Sequence, residues 1–196
     1  MDERLLQAQV IVFDIGNVLL RFQPEKACLL LPEEIRADVQ HAMFDSDGGL
    51  SHWAEFDLGI IPNEEIAKEV ALSSGHPGCE GQVLSLLEEF PKTMEIMPLA
   101  HLIGDLKKMG KRIYALTNYP EPSITRTVER FPFFGEMDGM VVSAREKMAK
   151  PDPRFFRLLL DRYHINPRDA LFIDDRPENV HAAEELGIKG WLYTGC

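Results

Sequence analysis

Residues 10–20 read VIVFDIGNVLL. Four apolar residues run without a break into Asp14, and Gly16 and Asn17 follow at once. An unbroken apolar run of this length is the pattern of a strand buried on both faces, and a glycine next to an asparagine is turn chemistry. The segment therefore predicts a central strand that hands a carboxylate to a tight turn. Position 16, where a second carboxylate would be well placed to assist the first, holds glycine.

The same texture recurs from residue 94 onward. Residues 98–109 have helical apolar spacing, with Pro98 suited to a first turn and Gly110 to a stop. KRIYALTN (111–118) reads as a buried strand ending at Thr117 and Asn118, residues 123–131 as a short helix, and GMVVS (139–143) as a short strand. In KPDPRFFRLLLDRYH (150–164), Asp152 is the expected N-cap and Pro153 the first helical residue. ALFIDD (170–175) is another strand, PENVHAAEELG (177–187) a helix closing on Gly187, and GWLYT (190–194) a last strand. Strands alternating with helices predict an α/β fold, a doubly wound parallel sheet covered on both faces. Residues 24–93 differ. Helical periodicity marks 32–43, 51–58, 63–72 and 83–90, broken by SDGG (46–49) and SSGHPG (73–78), with no convincing strand. The expected organisation is an α/β core of residues 1–23 and 94–196 with a helical insertion of residues 24–93, joined through hinges near 22–24 and 91–97.

In a parallel sheet all strand C-termini share one edge, and ligands bind there where the strand order reverses. Asp14, Thr117 and the pair Asp174–Asp175 each end an apolar strand, and Lys150 opens the connection before a helix on the same edge. Each alone has a plainer reading as turn, cap or solvated residue. Together they suit phosphoryl transfer: a carboxylate attacks phosphorus, the other acids hold a divalent cation, and hydroxyl and ammonium bind phosphate oxygens.

At this point the chain resembles the haloacid dehalogenase superfamily in all four motifs and in order. FDIGNVLL is similar to the first motif with Asp14 as nucleophile, ALTN to the second with Thr117, MAKPDPRFF to the third with Lys150, and FIDDRPENVHAAEELG to the acidic fourth. EIMPLAHLIGDLKKMGKRIYALTN also follows the family's approach to the second motif. The resemblance implies a Rossmann-like core with an α-helical cap at residues 24–93, and an aspartyl-phosphate on Asp14. It implies Mg²⁺ held by Asp14, the carbonyl of Gly16, Asp174 and Asp175. The phosphate would be cradled by backbone N–H groups around Ile15, Gly16 and Asn17, with Thr117, Asn118 and Lys150.

Gly16 departs from the family pattern, in which a second Asp protonates the leaving oxygen and activates water. A positioned acid–base group is worth ~10²–10⁴-fold, or roughly 3–5 kcal/mol of barrier. Either the leaving group needs little help, as a sugar C1 hydroxyl does, or another side chain brings the proton, for example from the cap. FDIGNVLL with WAEFDLGIIPNEEIAKEV resembles a bacterial branch that includes α-glucose-1-phosphate phosphatases. The gap also argues against a phosphomutase. In the cap, His52, Trp53, Glu55 and Phe56 are the candidates for choosing the substrate, with amphipathic packing as the plainer reading. Arg21 and Arg176 flank the first and fourth motifs.

The bulk properties fit. With 196 residues and a formal charge of −11, the chain is suited neither to nucleic acid nor to an anionic membrane. Cys28, Cys79 and Cys196 are odd in number and far apart, His76 and Cys79 lack a second pair for zinc, and no apolar run approaches the roughly 20 residues of a membrane span. The opening MDERLLQAQV has no signal-peptide apolar stretch. The expectation is a cytoplasmic phosphatase of a small phosphorylated metabolite, with a metal-independent 2-haloacid dehalogenase and a phosphate-binding scaffold as rivals.

Overall fold

The computed structural model describes residues 1–45 and 51–195; the SDGG break and Cys196 lie outside them. The chain order is α1 (Glu3–Gln7), β1 (Val10–Phe13), β2 (Leu20–Arg21), then α2 (Pro24–Cys28), α3 (Glu33–Phe44), α4 (His52–Leu58), α5 (Asn63–Ser73) and α6 (Glu80–Glu89). There follow β3 (Glu95–Ile96), α7 (Ile103–Lys108), β4 (Arg112–Thr117), α8 (Ser123–Arg130), β5 (Gly139–Val142) and α9 (Ser143–Glu146). The chain closes with α10 (Pro153–Arg162), β6 (Ala170–Asp174), α11 (Pro177–Glu184) and β7 (Lys189–Leu192).

Five strands form one parallel sheet in the order β5-β4-β1-β6-β7. β1 is its centre, with Phe13 opposite Ala115 of β4 and Ile173 of β6, and all four of its residues are buried. That is why its sequence is continuously apolar rather than alternating. Its side chains still alternate between faces. Ile11 and Phe13 pack with Leu5, Ile103 and Leu106 from α1 and α7, whereas Val10 and Val12 pack with Phe155, Phe156, Ala182 and Ala183 from α10 and α11. The chain builds outward through β4 to β5, then crosses back to place β6 on the other side of β1. The reversal therefore falls between β1 and β6, the strands that end at Asp14 and Asp174.

Local chemistry sets the elements. Asp152 caps α10 by accepting from the Arg154 N–H at 2.8 Å, and Pro153 is its first residue. Gly110 and Gly187 follow α7 and α11 with φ of 78° and 81°, the left-handed values that suit glycine. The expected helix over 98–109 is two pieces, a 3₁₀ turn Pro98–Leu102 and then α7. The tighter winding begins where Ala100 N–H bonds to Met97 O, three residues back. An antiparallel ribbon of β2 and β3, which the sequence reading did not foresee, ties together the two crossings that flank α2–α6. Two-residue strands are too short to carry a period, so nothing in the sequence marks them.

The helices α2–α6 build their own apolar cluster, including Val39, Met43, Phe56, Ile66, Val70, Val83 and Leu86, which runs on into Phe90, Tyr119 and Ile124. Among the described residues no helix is long and apolar enough to cross a membrane.

Candidate active site

A cavity of about 270 Å³ opens at the C-terminal edge of the sheet, beside the strand-order reversal. Asp14, Gly16, Asn17, Lys150 and Asp175 line its polar side, and Phe22, Trp53, Phe90 and Tyr119 its apolar side.

Each polar residue is held by a local reason. Asp14 follows β1 directly, and its N–H continues the ladder by donating to Ile173 O at 2.9 Å. The chain then turns so sharply that Ile15 O receives the N–H groups of Val18, Leu19 and Leu20. Asn17 takes the left-handed conformation at φ 54°, which asparagine tolerates. From there its side chain donates to Asp175 Oδ2 at 3.2 Å and accepts from the Phe22 N–H. The first turn is thus tied to the end of β6.

Lys150 is sealed between two acids. Its Nζ lies 2.7 Å from Asp14 Oδ1, an ion pair without well-angled hydrogen-bond geometry, and donates a hydrogen bond of 2.7 Å to Asp174 Oδ2. Burial opposes the ammonium, but the two carboxylates outweigh it and hold Lys150 above its ordinary value. Asn118 grips the lysine's backbone, donating to Lys150 O at 3.0 Å and accepting from Lys150 N at 2.8 Å. Its side chain therefore positions Lys150, and Asn118 itself lines the cavity.

The two acids after β6 differ. Asp174 is fully buried and both its oxygens are occupied: Oδ1 accepts from Arg176 N–H and Asn179 Nδ2, and Oδ2 from Lys150. Asp175 faces the cavity, with Asn17 as its side-chain donor. Burial and the charge of Asp174 raise its carboxyl above the usual range. For Asp14, burial pushes the carboxyl up to about 6, with Asp174 adding to the rise and Lys150 and the Ile15 N–H opposing it. Oxygens of Asp14, Asp174 and Asp175 lie within 4.8 Å of one another. Three acids so close, two of them buried, are costly unless positive charge joins them, and Lys150 supplies only one unit. A hard divalent cation fits this donor set. Thr117, fully buried at the end of β4, has a hydroxyl with no hydrogen-bond partner among the described residues, an open position for an oxyanion.

Of the four residues singled out in the insertion, Trp53 alone lines the cavity. It stacks on Phe22 at 4.9 Å between ring centres and meets Phe90 edge-on at 5.1 Å. Phe56 is buried beneath it. His52 pairs with Glu55 and with Glu69, and neither His52 nor Glu55 is in the cavity wall. Arg176 reaches the cavity, whereas Arg21 lines an adjoining depression that shares Asn17, Phe22 and Asp175 with it. The residue missed altogether is Asp57, which lines the cavity from the last turn of α4. A signal existed: an acid just before a C-terminal glycine sits at the negative end of its helix, where a carboxylate is locally unfavourable.

Comparison with known proteins places this geometry. Residues 8–187 match the haloacid dehalogenase-like hydrolase family. The sesquiterpene phosphatase astK of Aspergillus oryzae is 26% identical over 187 residues, 93% of this chain and 88% of that protein. The D-ribitol-5-phosphate phosphatase of Bacteroides thetaiotaomicron is 23% identical over 91% of this chain and 88% of its own. An enzyme of the same family from Bacteroides thetaiotaomicron, solved with magnesium and inorganic phosphate, superposes with a TM-score of 0.78 at 20% identity, over 96% of this chain and 95% of that one. The parallel sheet, the four motifs at its edge and the match over nearly the whole chain agree: this chain belongs to the haloacid dehalogenase-like hydrolases.

Proposed function

We propose that the chain is a Mg²⁺-dependent phosphatase of small phosphomonoesters, with sugar phosphates as its substrate class. The observation that carries the reading is the placement of Asp14 in the cavity, clustered with Asp174 and Asp175 and paired to Lys150.

In this reading Asp14 attacks phosphorus and becomes an aspartyl-phosphate, which water then hydrolyses. Lys150, the Thr117 hydroxyl and the N–H groups of the turn at residues 15–17 hold the phosphoryl oxygens. Asn118 acts through the backbone of Lys150. Asp14, Asp175 and the carbonyl of Gly16 would hold Mg²⁺, whose charge would offset that of the phosphoryl group. Asp175 is favoured over Asp174 as its direct ligand because Asp174 has both oxygens engaged. The aromatic wall of Phe22, Trp53 and Phe90 offers flat apolar surface to the C–H face of a sugar ring. A residues 24–93 cap and residues 1–23 with 94–196 as core remain the organisation proposed, with the cavity where they meet.

The family's metal-independent dehalogenation also uses an aspartate nucleophile, but three convergent acids are a poor design for a reaction that needs no cation. Only Gly16 favours a scaffold without turnover. The test is phosphate release from hexose 1-phosphate, hexose 6-phosphate, a pentitol phosphate and p-nitrophenyl phosphate, with Mg²⁺ and with chelator, for wild type and Asp14→Asn. The expected result is metal-dependent release that Asp14→Asn lowers by roughly 10⁴-fold or more. Release that is indifferent to chelator or to Asp14 would sink the reading.

A further inference from the structure

Three carboxyl groups line the cavity, and the scheme above uses two of them, Asp14 and Asp175. The third, Asp57, is fixed by its backbone and free at its side chain. Its carbonyl accepts from the Ser143 hydroxyl, and the Ser143 oxygen in turn accepts from the Tyr119 N–H at 2.9 Å. Tyr119 follows Thr117 and Asn118, so one hydroxyl ties the end of α4 to the loop after β4. Two residues on, Gly59 O accepts from Lys147 Nζ. Gly59 has φ 59° and lies so close to α9 that a Cβ there would sit 2.9 Å from Ala144 Cβ. This end of the insertion is pressed onto the core at residues 143–147.

The carboxyl itself has no hydrogen-bond partner among the described residues. Asp14, Lys150, Arg176 and Tyr119 are the charged or titratable groups that face it. Burial, then the charge of Asp14, holds it well above the usual carboxylate range, against the pull of Lys150 and Arg176. The other cavity groups are poor proton donors. Lys150 is bound between two acids, and arginine keeps its proton. The Tyr119 hydroxyl is engaged with Thr127 Oγ1 and Met94 Sδ, and no histidine is among the lining residues. At Gly16 a Cβ would meet nothing within 4 Å, so the position of the absent acid is open space.

We propose that Asp57, carried into the cavity by the helical insertion, is the acid–base residue that replaces the carboxyl missing at position 16; this rests on the phosphatase reading. As Asp14 bonds to phosphorus and the P–O bond to the leaving group breaks, the departing oxygen takes the Asp57 proton and leaves as the alcohol. The Asp57 carboxylate then takes a proton from water as the water oxygen bonds to phosphorus. The bond from phosphorus to Asp14 breaks, and inorganic phosphate, the Asp14 carboxylate and the Asp57 carboxyl are restored.

The test compares the best alkyl phosphate of the panel with p-nitrophenyl phosphate, whose leaving group needs no proton. Asp57→Asn should lose ~10²–10³-fold on the alkyl ester. On the aryl ester it should release a first equivalent of nitrophenolate near the wild-type rate and then stall as phosphoenzyme. Gly16→Asp in the Asp57→Asn background should restore alkyl turnover. In the wild type, which needs no variant, kcat/KM for the alkyl ester should fall as pH rises through the Asp57 titration, and the aryl ester should not follow. Equal losses on both esters with no burst, or superimposable pH profiles, would overturn the role of Asp57 alone. A wild type that releases phosphate from neither ester would overturn the phosphatase reading and this proposal with it.

Discussion

At the sheet edge, Asp14 and Asp174 are almost sealed from water and share Lys150 at 2.7 Å. On α4 and α5, His52, Glu55 and Glu69 also lie close to one another, but 25%, 26% and 43% of their side chains remain exposed. By distance alone both groups could hold a cation, since each brings its ligand atoms within 4.8 Å. Burial separates them. A charge taken out of water needs fixed partners, and the edge supplies them through Asn118, Asn179 and the turn at residues 15–17. The side chains of this second group on α4 and α5 keep more of their surface in a screening solvent and need fewer.

The largest effect that sharpens this contrast is on stability. Lys150→Ala leaves two buried acids without their counter-charge, and roughly 3–5 kcal/mol should be lost at neutral pH. Glu55→Gln, which removes one member of the half-exposed cluster, should cost less than about 1 kcal/mol. Chemical denaturation of the two variants reads both values, and equal losses would erase the distinction.

A smaller effect has the opposite sign. The Asp14 carboxyl is raised from 3.8 to about 6, so ionising it costs the folded state more than the unfolded chain. That cost is absent below the unfolded value and complete above about 6. Asp14→Asn should therefore stabilise the metal-free protein by roughly 3 kcal/mol at pH 7.5, with the gain vanishing as pH falls toward 4. The measurement is thermal melting across that range. A gain that is independent of pH would mean that the carboxyl does not carry this burden.

The same contrast explains what was legible in the sequence. A strand buried on both faces announces itself as VIVF or ALFID, and the residue that ends it is placed on the edge by the fold itself. Asp14, Lys150 and Asp175 could be gathered because one topological rule brings all strand ends together. Asp57 obeys no such rule. It sits on a seven-residue helix whose polar positions read as solvent face, and its approach to the cavity depends on Ser143, Lys147 and Ala144, more than eighty residues away in the chain. The hold of Asn118 on Lys150 was out of reach for a similar reason, because its partner is a backbone brought alongside only by the parallel crossover. The ribbon of Leu20–Arg21 with Glu95–Ile96 was likewise invisible, being a long-range pairing of two-residue segments.

The central claim is that Asp14 makes a covalent bond to phosphorus. Enzyme quenched in acid during turnover of the best phosphate ester, then digested and mapped by peptide mass spectrometry, tests it most directly. The account predicts one phosphoryl group on the peptide that carries Asp14, enriched in Asp57→Asn and absent in Asp14→Asn. Steady phosphate release with that peptide unmodified throughout, in wild type and Asp57→Asn alike, would contradict it.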